Sequence, residues 1–475
     1  MDHVTAAERV TRGLALTTLA LMIAGLSAAC GSSPKGTGTG GSPGPDSTGG
    51  STSTGGSTSS GGATSSGGTT STGGSTSSGG ATSTGGTPGS GGARSSGGAP
   101  GTGGVTATGG SGGASAPTGN TVGPCDLYAM ANTPCVAAFS TVRVLLSTYK
   151  GPLYQLRKGG MNNVFKGNQP AGTVGGTTGG TTQDIGATAD GFADAAAQEA
   201  FCGTSMCTFS RLYDQSGKGN DLTQSPAGTY EPGPDYEVPA THSLMVGGHK
   251  VYVVYFPNPP SLPSGSAPSG YGYRNNKTTG MPKNSDPQGV YMLADATHVG
   301  NGCCFDFGNA ETNNGNGPTG DMAALNLGTS YWGQGAGSSP WFEGDFEAGV
   351  WAGGSSCPTP GSGQLTCNGR TANPQNPSMK GIAYAFGILK TGTASSMPVY
   401  TLKAGNLTAG TLVTAYNGVA PAKWQLQGAV VLGTGGDNSN SSWGTFYEGA
   451  VTAGQPSDTV DQAIEANVAA AGYGK

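Results

Sequence analysis

The chain changes composition abruptly near residue 121, and this change limits which part of it can fold. Between residues 31 and 120 nearly every residue is Gly, Ser, Thr, Ala or Pro, and Gly-Gly pairs recur with a six-residue period. A period this short, without apolar positions, cannot build a solenoid, and it buries too little surface to offset the entropy of ordering. We therefore predict a disordered Gly/Ser/Thr-rich linker over residues 31–120, with a span of roughly 50 Å root-mean-square.

The segment before this linker has the features of an export signal. Arg9 and Arg12 precede an apolar stretch over residues 14–29, which ends in small residues and Cys30. This order is typical of a secretory signal, and the apolar run is shorter than the ~20 residues of a membrane span. We predict a lipoprotein-type signal over residues 1–30 with lipidation at Cys30; ordinary cleavage near Ala29 is the alternative. Both place the mature chain outside the cytoplasm, at the outer membrane or cell surface or secreted.

Charge excludes one class of partner. The 475 residues carry a formal net charge of -5, and only 10% of them are charged. Nucleic-acid binding needs a basic face, so this composition argues against it and favours a neutral partner. Any membrane association is expected only through the N-terminal lipid. Residues 121–475 are long enough for a large core in one domain.

Short β-rich segments follow one another in residues 121–475. Strands are predicted over residues 251–256, 290–293, 429–432 and 445–451, with Gly, Pro, Asn and Asp clusters between them. Only two helices are predicted, over residues 195–201 after Asp194 and over residues 459–470 after Ser457 and Asp458. This pattern predicts an all-β protein, a β-sandwich of the concanavalin or jelly-roll type with long loops.

The cysteines beyond Cys30 fall into four pairs of near neighbours. We predict disulfides on this nearness, although the sequence alone allows 105 pairings. The predicted pairs are Cys125–Cys135, Cys202–Cys207, Cys303–Cys304 and Cys357–Cys367. A zinc site would need closely spaced pairs that meet in space, which these spacings do not provide. The four histidines are scattered, so no metal and no cofactor is predicted.

Adjacent cysteines are unusual in a chain with so few. A disulfide between Cys303 and Cys304 would close a loop too small to restrict the unfolded chain. Such a pair is therefore better suited to shaping a surface than to stabilising a core.

Two carboxylate-rich segments are candidates for chemistry. Hydrolysis of a glycosidic bond needs two carboxyl groups, and aromatic and glycine neighbours suit sugar binding. In residues 341–347, strand alternation would put Glu343, Asp345 and Glu347 on one face. The other segment is residues 435–440, which contain Asp437 among glycines; it lacks the Lys-Ser/Thr of a phosphate-binding loop. For each acid alone, a solvated loop carboxylate is the alternative.

Residues 123–475 resemble the catalytic domain of the α-L-arabinofuranosidases of glycoside hydrolase family 54. The resemblance rests on long, rare sequence words in the same order. These words occupy residues 123–126, 133–138, 213–220, 273–276, 303–311, 435–440 and 444–449. The family has a β-sandwich catalytic domain and retains anomeric configuration by double displacement.

The resemblance implies a role for each of two acids. The family's nucleophile is the Glu of an Asp-x-Glu pattern after Pro-Trp, which corresponds to Glu347 after Pro340 and Trp341. The acid/base is the Asp of Gly-Gly-Asp-Asn, which corresponds to Asp437. In a retaining enzyme the two carboxyl groups should lie ~5–5.5 Å apart.

The same resemblance implies a set of sugar-binding residues. It assigns the vicinal disulfide to the sugar subsite and adds a tryptophan, two aspartates and a glycine. These residues are Cys303, Cys304, Trp332, Asp345, Gly436 and Asp306. The chain departs from the family at Ala348, where asparagine follows the nucleophile, and at Phe139. The Ala348 departure removes one polar contact to the sugar.

The resulting expectation is a monomeric, exo-acting enzyme. It would release terminal arabinofuranosyl groups from arabinan, arabinoxylan or their oligosaccharides. Two alternatives stay open: a lectin-like surface protein that has lost catalysis, and a pentosidase that also cleaves β-xylosides. Because the family-like region runs to Lys475, no arabinose-binding β-trefoil is expected after it.

Overall fold

A computed structural model describes residues 122–159, 179–231, 234–259, 270–329, 335–355 and 373–475. The predicted signal and linker lie outside these residues, as do Trp332 and the predicted Cys357–Cys367 pair. In the ranges described, none of the helices is long and apolar enough to span a bilayer.

Antiparallel strands dominate the described residues, which confirms the predicted all-β class. The strands in chain order are β1 (Cys135–Ser140), β2 (Tyr154–Lys158), β3 (Thr181–Ile185), β4 (Cys207–Leu212), β5 (Leu222–Gln224), β6 (Ser243–Val246), β7 (His249–Tyr252), β8 (Val254–Phe256), β9 (Tyr273–Asn275), β10 (Gln288–Val299), β11 (Asp306–Ala310), β12 (Ala323–Gly328), β13 (Trp341–Asp345), β14 (Val350–Trp351), β15 (Ala385–Ala394), β16 (Met397–Asn406), β17 (Val413–Val419), β18 (Ala429–Leu432) and β19 (Gly444–Ala453).

Two large sheets form the sandwich. One has the order β1-β19-β10-β15-β16-β17, with β8 also paired to β19. The other has the order β14-β13-β12-β11-β18-β9-β5-β4-β2-β3. They meet face to face, where β10 and β15 contact β12, and β16 contacts β13. A separate hairpin pairs β6 with β7.

Alternation along β11, β12 and β13 explains why these strands have two different faces. Their apolar side chains point into the sandwich: Phe307, Leu325, Leu327 and Phe342. The Phe307 ring lies 5.2 Å from that of Phe446 and 6.2 Å, edge-on, from that of Phe139. The residues between them therefore point away from the core, because successive side chains in a strand face opposite sides.

The predicted strands appear with one difference. β18 has the predicted bounds, and β10 and β19 extend the predicted segments at both ends. The predicted strand over residues 251–256 is divided at Val253. The chain changes partner there, since β7 pairs with β6 and β8 pairs with β19.

Both predicted helices form, but the expectation of only two helices is wrong. They are α2 (Ala195–Cys202), capped by Asp194, and α3 (Asp458–Ala470), capped by Ser457. The additional helix is α1 (Pro124–Met130), and a 3-10 turn spans Leu407–Ala409. Helix α1 is short, but two features of its sequence favour a helix N-terminus. One is proline in the first turn, and the other is Asp126, whose Oδ2 accepts a hydrogen bond from the Gly123 N–H at 2.7 Å.

Three disulfides are present in the described residues. They are Cys125–Cys135, Cys202–Cys207 and Cys303–Cys304, the same pairings that the sequence predicts. The first connects α1 to β1, and the second connects α2 to β4. The third lies at the start of β11, on the outward face of the ten-stranded sheet.

Candidate active site

Polar side chains occupy the outward face of the ten-stranded sheet where β9, β11, β12 and β13 lie close together. Three polar residues lie side by side across β11, β12 and β13: Asp306, Asn326 and Glu343. Asn326 is the register partner of both acids. The Asn326 Nδ2–H donates to Asp306 Oδ1 at 2.7 Å. Asp306 and Glu343 are 0% exposed and Asp345 is 3% exposed, so these acids are buried among the surrounding side chains.

Glu347 lies just beyond the end of β13 and not within it. The strand ends at Asp345, and Glu347 has a φ of 78°, which is rare for a non-glycine residue. The prediction that strand alternation places Glu347 is therefore wrong: a tight turn orients it. Its Oε1 accepts a hydrogen bond from the Gly317 N–H at 2.9 Å, and its own N–H donates to Asp345 Oδ1 at 3.0 Å.

Asp437 lies in the loop between β18 and β19. Its Oδ1 accepts a hydrogen bond from the Ser439 N–H at 2.9 Å, and the Gly435 N–H donates to the Ser439 carbonyl at 2.8 Å. Asn438 takes the left-handed conformation, with φ 69°, and its Nδ2–H donates to the buried Asp235 at 2.9 Å. These contacts fix the conformation of the loop that carries Asp437.

The turn at Gly435 and Gly436 brings Asp437 and Glu347 together. A Cβ placed on Gly436 would lie 2.4 Å from Glu347 Oε2 and 1.9 Å from Glu311 Oε2. A Cβ placed on Gly435 would lie 3.6 Å from Asp437 Oδ1. The carboxyl groups of Glu347 and Asp437 therefore border the same two-glycine turn, and only glycine fits at Gly436.

The vicinal disulfide forms a wall of the site. The Cys304 N–H donates to the Ser439 carbonyl at 3.1 Å, and the Ser441 N–H donates to the Cys303 carbonyl at 2.9 Å. The Cys304 Sγ lies 3.3 Å from Asp345 Oδ2. A disulfide sulfur carries no proton, so any hydrogen in this contact comes from Asp345. Three potential metal-ligand atoms, from both cysteines and Asp345, lie within 4.8 Å of one another, but disulfide sulfurs are not the thiolates that metals bind.

Burial dominates the electrostatics of the acids. It raises the pKa of Glu347 well above its usual range, with further contributions from the charges of Glu311 and Asp437. Burial also raises the pKa of Asp306 to about 7 and that of Glu311 to about 7. The pKa of Asp345 is raised well above its usual range, first by burial and then by the charge of Asp306. Burial and neighbouring like charges thus both favour the protonated forms of these carboxyl groups.

Arg274, on β9, supplies positive charge near Glu311 and Glu347. Its guanidinium donates to the Gly435 carbonyl at 3.2 Å and to the Glu311 carbonyl, and its Nε donates to Asn276 Oδ1 at 2.6 Å. Burial lowers the pKa of Arg274 to about 10, so it stays charged at neutral pH. It connects the Gly435 turn to the end of β11.

The structure places most of the predicted site residues around one point. They are Glu347, Asp437, Cys303, Cys304, Asp345, Gly436 and Asp306. Phe139, in contrast, lies in the sandwich core and not at the site. Sequence reasoning assigned no role to Glu311, which directly follows β11 inside one of the family-like words; an acid ending an otherwise buried strand is the signal that could have indicated it.

A cavity of about 880 Å³ lies away from these residues, beside Arg143, Phe192 and Asn467. Asp190 is the acid among its lining residues. Because glycoside hydrolysis needs two carboxyl groups, this cavity is not the candidate active site.

Comparisons with known proteins match most of the chain to one enzyme family. The family model described as "Alpha-L-arabinofuranosidase B, catalytic" matches residues 124–474. An α-L-arabinofuranosidase B from Emericella nidulans is 39% identical over 373 residues, which cover 75% of this chain and 63% of that protein. An arabinofuranosidase/β-xylosidase from Trichoderma koningii is 38% identical over 364 residues, with 74% and 63% covered. The chain thus spans a little under two thirds of the length of these relatives.

Solved structures show the same likeness. One is an arabinofuranosidase complexed with arabinofuranosyl-α-1,2-xylobiose, with a TM-score of 0.61 and 35% identity; the match covers 74% of this chain and 65% of that one. Another is a glutamate-to-glutamine mutant of a family 54 α-L-arabinofuranosidase soaked with 4-nitrophenyl α-L-arabinofuranoside. It also has a TM-score of 0.61 and 35% identity, with 74% and 66% covered.

Proposed function

The chain belongs to the family of α-L-arabinofuranosidase B catalytic domains, glycoside hydrolase family 54, and from this premise we propose that it is a retaining, exo-acting α-L-arabinofuranosidase. The observation that carries the proposal is the approach of Glu347 and Asp437 to the same Gly435–Gly436 turn. Two carboxyl groups that face one small space are what double displacement at a furanoside needs.

In the proposed reaction each acid has one role per step. Asp437 donates its proton to the leaving glycosidic oxygen while Glu347 attacks the anomeric carbon and forms an ester. Asp437 then takes a proton from water, which attacks the same carbon and releases Glu347 as a carboxylate. The alcohol leaves with the proton from Asp437, and the water proton restores Asp437.

The sugar would lie against the disulfide wall. The sulfurs of Cys303 and Cys304 offer an apolar surface, and Asp306, Asp345 and the Gly436 backbone offer polar contacts to hydroxyl groups. Trp332 is proposed as a further contact. Because Ala348 has no polar side chain, this subsite would bind the sugar with one side-chain hydrogen bond fewer than a chain with asparagine there.

The substrates proposed are terminal arabinofuranosyl groups on arabinan, arabinoxylan or their oligosaccharides. The complex of a related arabinofuranosidase with arabinofuranosyl-α-1,2-xylobiose supports this class. The name of the Trichoderma koningii relative, which includes β-xylosidase, supports β-xylosides as a second substrate class.

The first experiment is hydrolysis of 4-nitrophenyl α-L-arabinofuranoside by the full chain and by Glu347→Gln. We expect kcat to fall roughly 10⁴-fold or more in the variant. Glu199→Gln is the matched control, because Glu199 is exposed and pairs with Lys250, which is not a candidate-site residue. Proton NMR of the first product should show the α-anomer, since a retaining enzyme preserves configuration.

Two results would contradict the proposed mechanism or the proposed activity. A β-anomeric first product would exclude double displacement. A folded wild type that binds arabinose but hydrolyses neither this substrate nor the β-xyloside would favour a lectin-like binding protein.

We further propose that the protein is exported and anchored through Cys30. Disulfides in the described residues support export, because disulfides persist in oxidising compartments. Mass spectrometry of the N-terminal peptide from the native host should show a lipid on Cys30, and Cys30→Ser should release the protein from the membrane fraction. Size-exclusion chromatography should show a monomer.

A further inference from the structure

A second glutamate lies directly beside the proposed nucleophile. Glu311 is 0% exposed, and its carboxyl group lies beside that of Glu347 at the Gly436 turn. Their Oε2 atoms approach the same point at Gly436. The double displacement described above assigns no role to Glu311.

The closeness of these two carboxyl groups favours a proton on one of them. Ionised carboxylates only accept hydrogen bonds, so two of them can bond to each other only when one is protonated. Two like charges at this distance inside a buried site also cannot both persist. Close carboxyl pairs in buried sites share one proton for this reason.

The reaction determines on which carboxyl the proton is useful. Burial and then the charge of Glu311 raise the pKa of Glu347, so the shared proton favours Glu347 in the absence of substrate. Glu347 has to be an anion when it attacks carbon, so the proton has to move to Glu311 by that moment. Glu347 Oε1 already accepts a hydrogen bond from the Gly317 N–H. A hydrogen bond from Glu311 would fix the carboxylate of Glu347 through its second oxygen.

We propose that Glu311 is a positioning residue for the proposed reaction: it holds the shared proton, and its O–H donates to Glu347 and directs the nucleophile at the anomeric carbon. The inference rests on the proposed function. When Glu347 becomes an ester, Glu311 keeps its proton and donates to the ester oxygen. When the ester breaks, the same hydrogen bond stabilises the departing carboxylate, so no proton is lost from the pair during a turnover.

The surroundings keep Glu311 in place and influence its charge. Arg274 binds the backbone carbonyl of Glu311 and the carbonyl of Gly435, which fixes the end of β11 against the glycine turn. The positive charge of Arg274 favours an anionic Glu311, whereas nearby acids disfavour it. The acids that face Glu311 are Glu347, Asp321, Asp306 and Asp345.

The test compares Glu311→Gln with Glu311→Ala in the full chain. The glutamine amide N–H can still donate to Glu347, so we expect kcat within about tenfold of wild type. The alanine variant loses the donor, and we expect kcat to fall roughly 10²-fold with little change in KM. Thermal melting of both variants, beside wild type, normalises the rates to folded protein.

A pH profile distinguishes a proton holder from a packing residue. We would use 2,4-dinitrophenyl α-L-arabinofuranoside, whose leaving group needs no proton from Asp437. In wild type, activity should fall at alkaline pH as the pair loses its last proton. In Glu311→Gln, which has no such proton, this fall should move to higher pH by at least one unit.

The outcomes separate this inference from the proposed function. Three results would each overturn the role of Glu311: equal kcat in wild type and Glu311→Ala, equal losses of kcat in both Glu311 variants, or an alkaline fall in activity that stays at the same pH in Glu311→Gln. The proposed function would still stand if Glu347→Gln loses activity. An inactive wild type would remove both. If Glu311→Ala does not fold, the pH profile of Glu311→Gln alone decides.

Discussion

Asp345 accepts a hydrogen bond from the backbone N–H of Glu347 at 3.0 Å, and its second oxygen lies 3.3 Å from the Cys304 Sγ. One buried carboxyl group thus connects the turn that carries the proposed nucleophile to the vicinal disulfide. The positive φ of Glu347 costs about 1–3 kcal/mol for a non-glycine residue. Surrounding contacts have to hold such a conformation, and the bond to Asp345 is one of them.

Replacing Asp345 should therefore damage activity through the position of Glu347. We expect Asp345→Ala to lower kcat/KM roughly 10²-fold, because small displacements of a reacting group have large effects on rate. Asp345→Asn should lose less, since its amide oxygen still accepts the N–H of Glu347. Steady-state kinetics on 4-nitrophenyl α-L-arabinofuranoside measure both variants, and equal losses in the two would contradict this account.

The sequence predicted the composition of the site better than its geometry. Strand alternation explains why Asp306 and Asp345 point away from the core, because Phe307 in β11 and Phe342 in β13 point into it. It fails for Glu347, since period-two reasoning cannot show where a strand ends and a positive-φ turn begins. The closeness of Glu311 to Glu347 joins the end of β11 to the turn after β13, two strands along the chain, and no local pattern encodes such a contact.

The vicinal disulfide should affect substrate binding more than stability. The loop that it closes is too short to restrict the unfolded chain, whereas its sulfurs lie beside Asp345 and the Gly435 turn. In the double variant Cys303→Ser, Cys304→Ser we expect KM to rise roughly tenfold, the effect of one lost apolar contact. The free energy of unfolding should change by less than about 1 kcal/mol.

The matched control is the double variant Cys202→Ser, Cys207→Ser, which removes the disulfide between α2 and β4. Its KM should stay at the wild-type value. If the two double variants had the same KM, the assignment of Cys303 and Cys304 to the sugar subsite would be wrong.

Gly436 should tolerate no side chain. A Cβ there would lie 1.9 Å from Glu311 Oε2 and 2.4 Å from Glu347 Oε2, so both carboxyl groups would have to move. We expect Gly436→Ala to lower kcat roughly 10²-fold or more while the protein still folds. Gly186→Ala is the control, because a Cβ at Gly186 meets no atom within 4 Å. Activity and melting temperature are measured together, and an active Gly436→Ala would contradict the close approach of these groups.

The buried carboxyl groups should make the protein less stable as the pH rises from acid to neutral. The pKa of Asp306 and that of Glu311 are raised to about 7 in the folded chain by burial, whereas unfolded Asp and Glu titrate near about 4. Between these values the folded state binds more protons than the unfolded state, so the free energy of unfolding falls by roughly 1.4 kcal/mol per pH unit for each extra proton. Asp458, whose pKa is lowered to about 2 by hydrogen bonds from Lys390 and Lys403, acts in the opposite direction but below this window.

Urea unfolding at intervals from about pH 4.5 to 7.5 measures the slope of this free energy against pH. Asp306→Asn, which keeps an oxygen for the Asn326 amide to bind, should make the slope shallower, and the exposed control Asp190→Asn should not. A stability that rises through this window, or a slope that is the same in Asp306→Asn and wild type, would show that these acids are ionised in the folded protein.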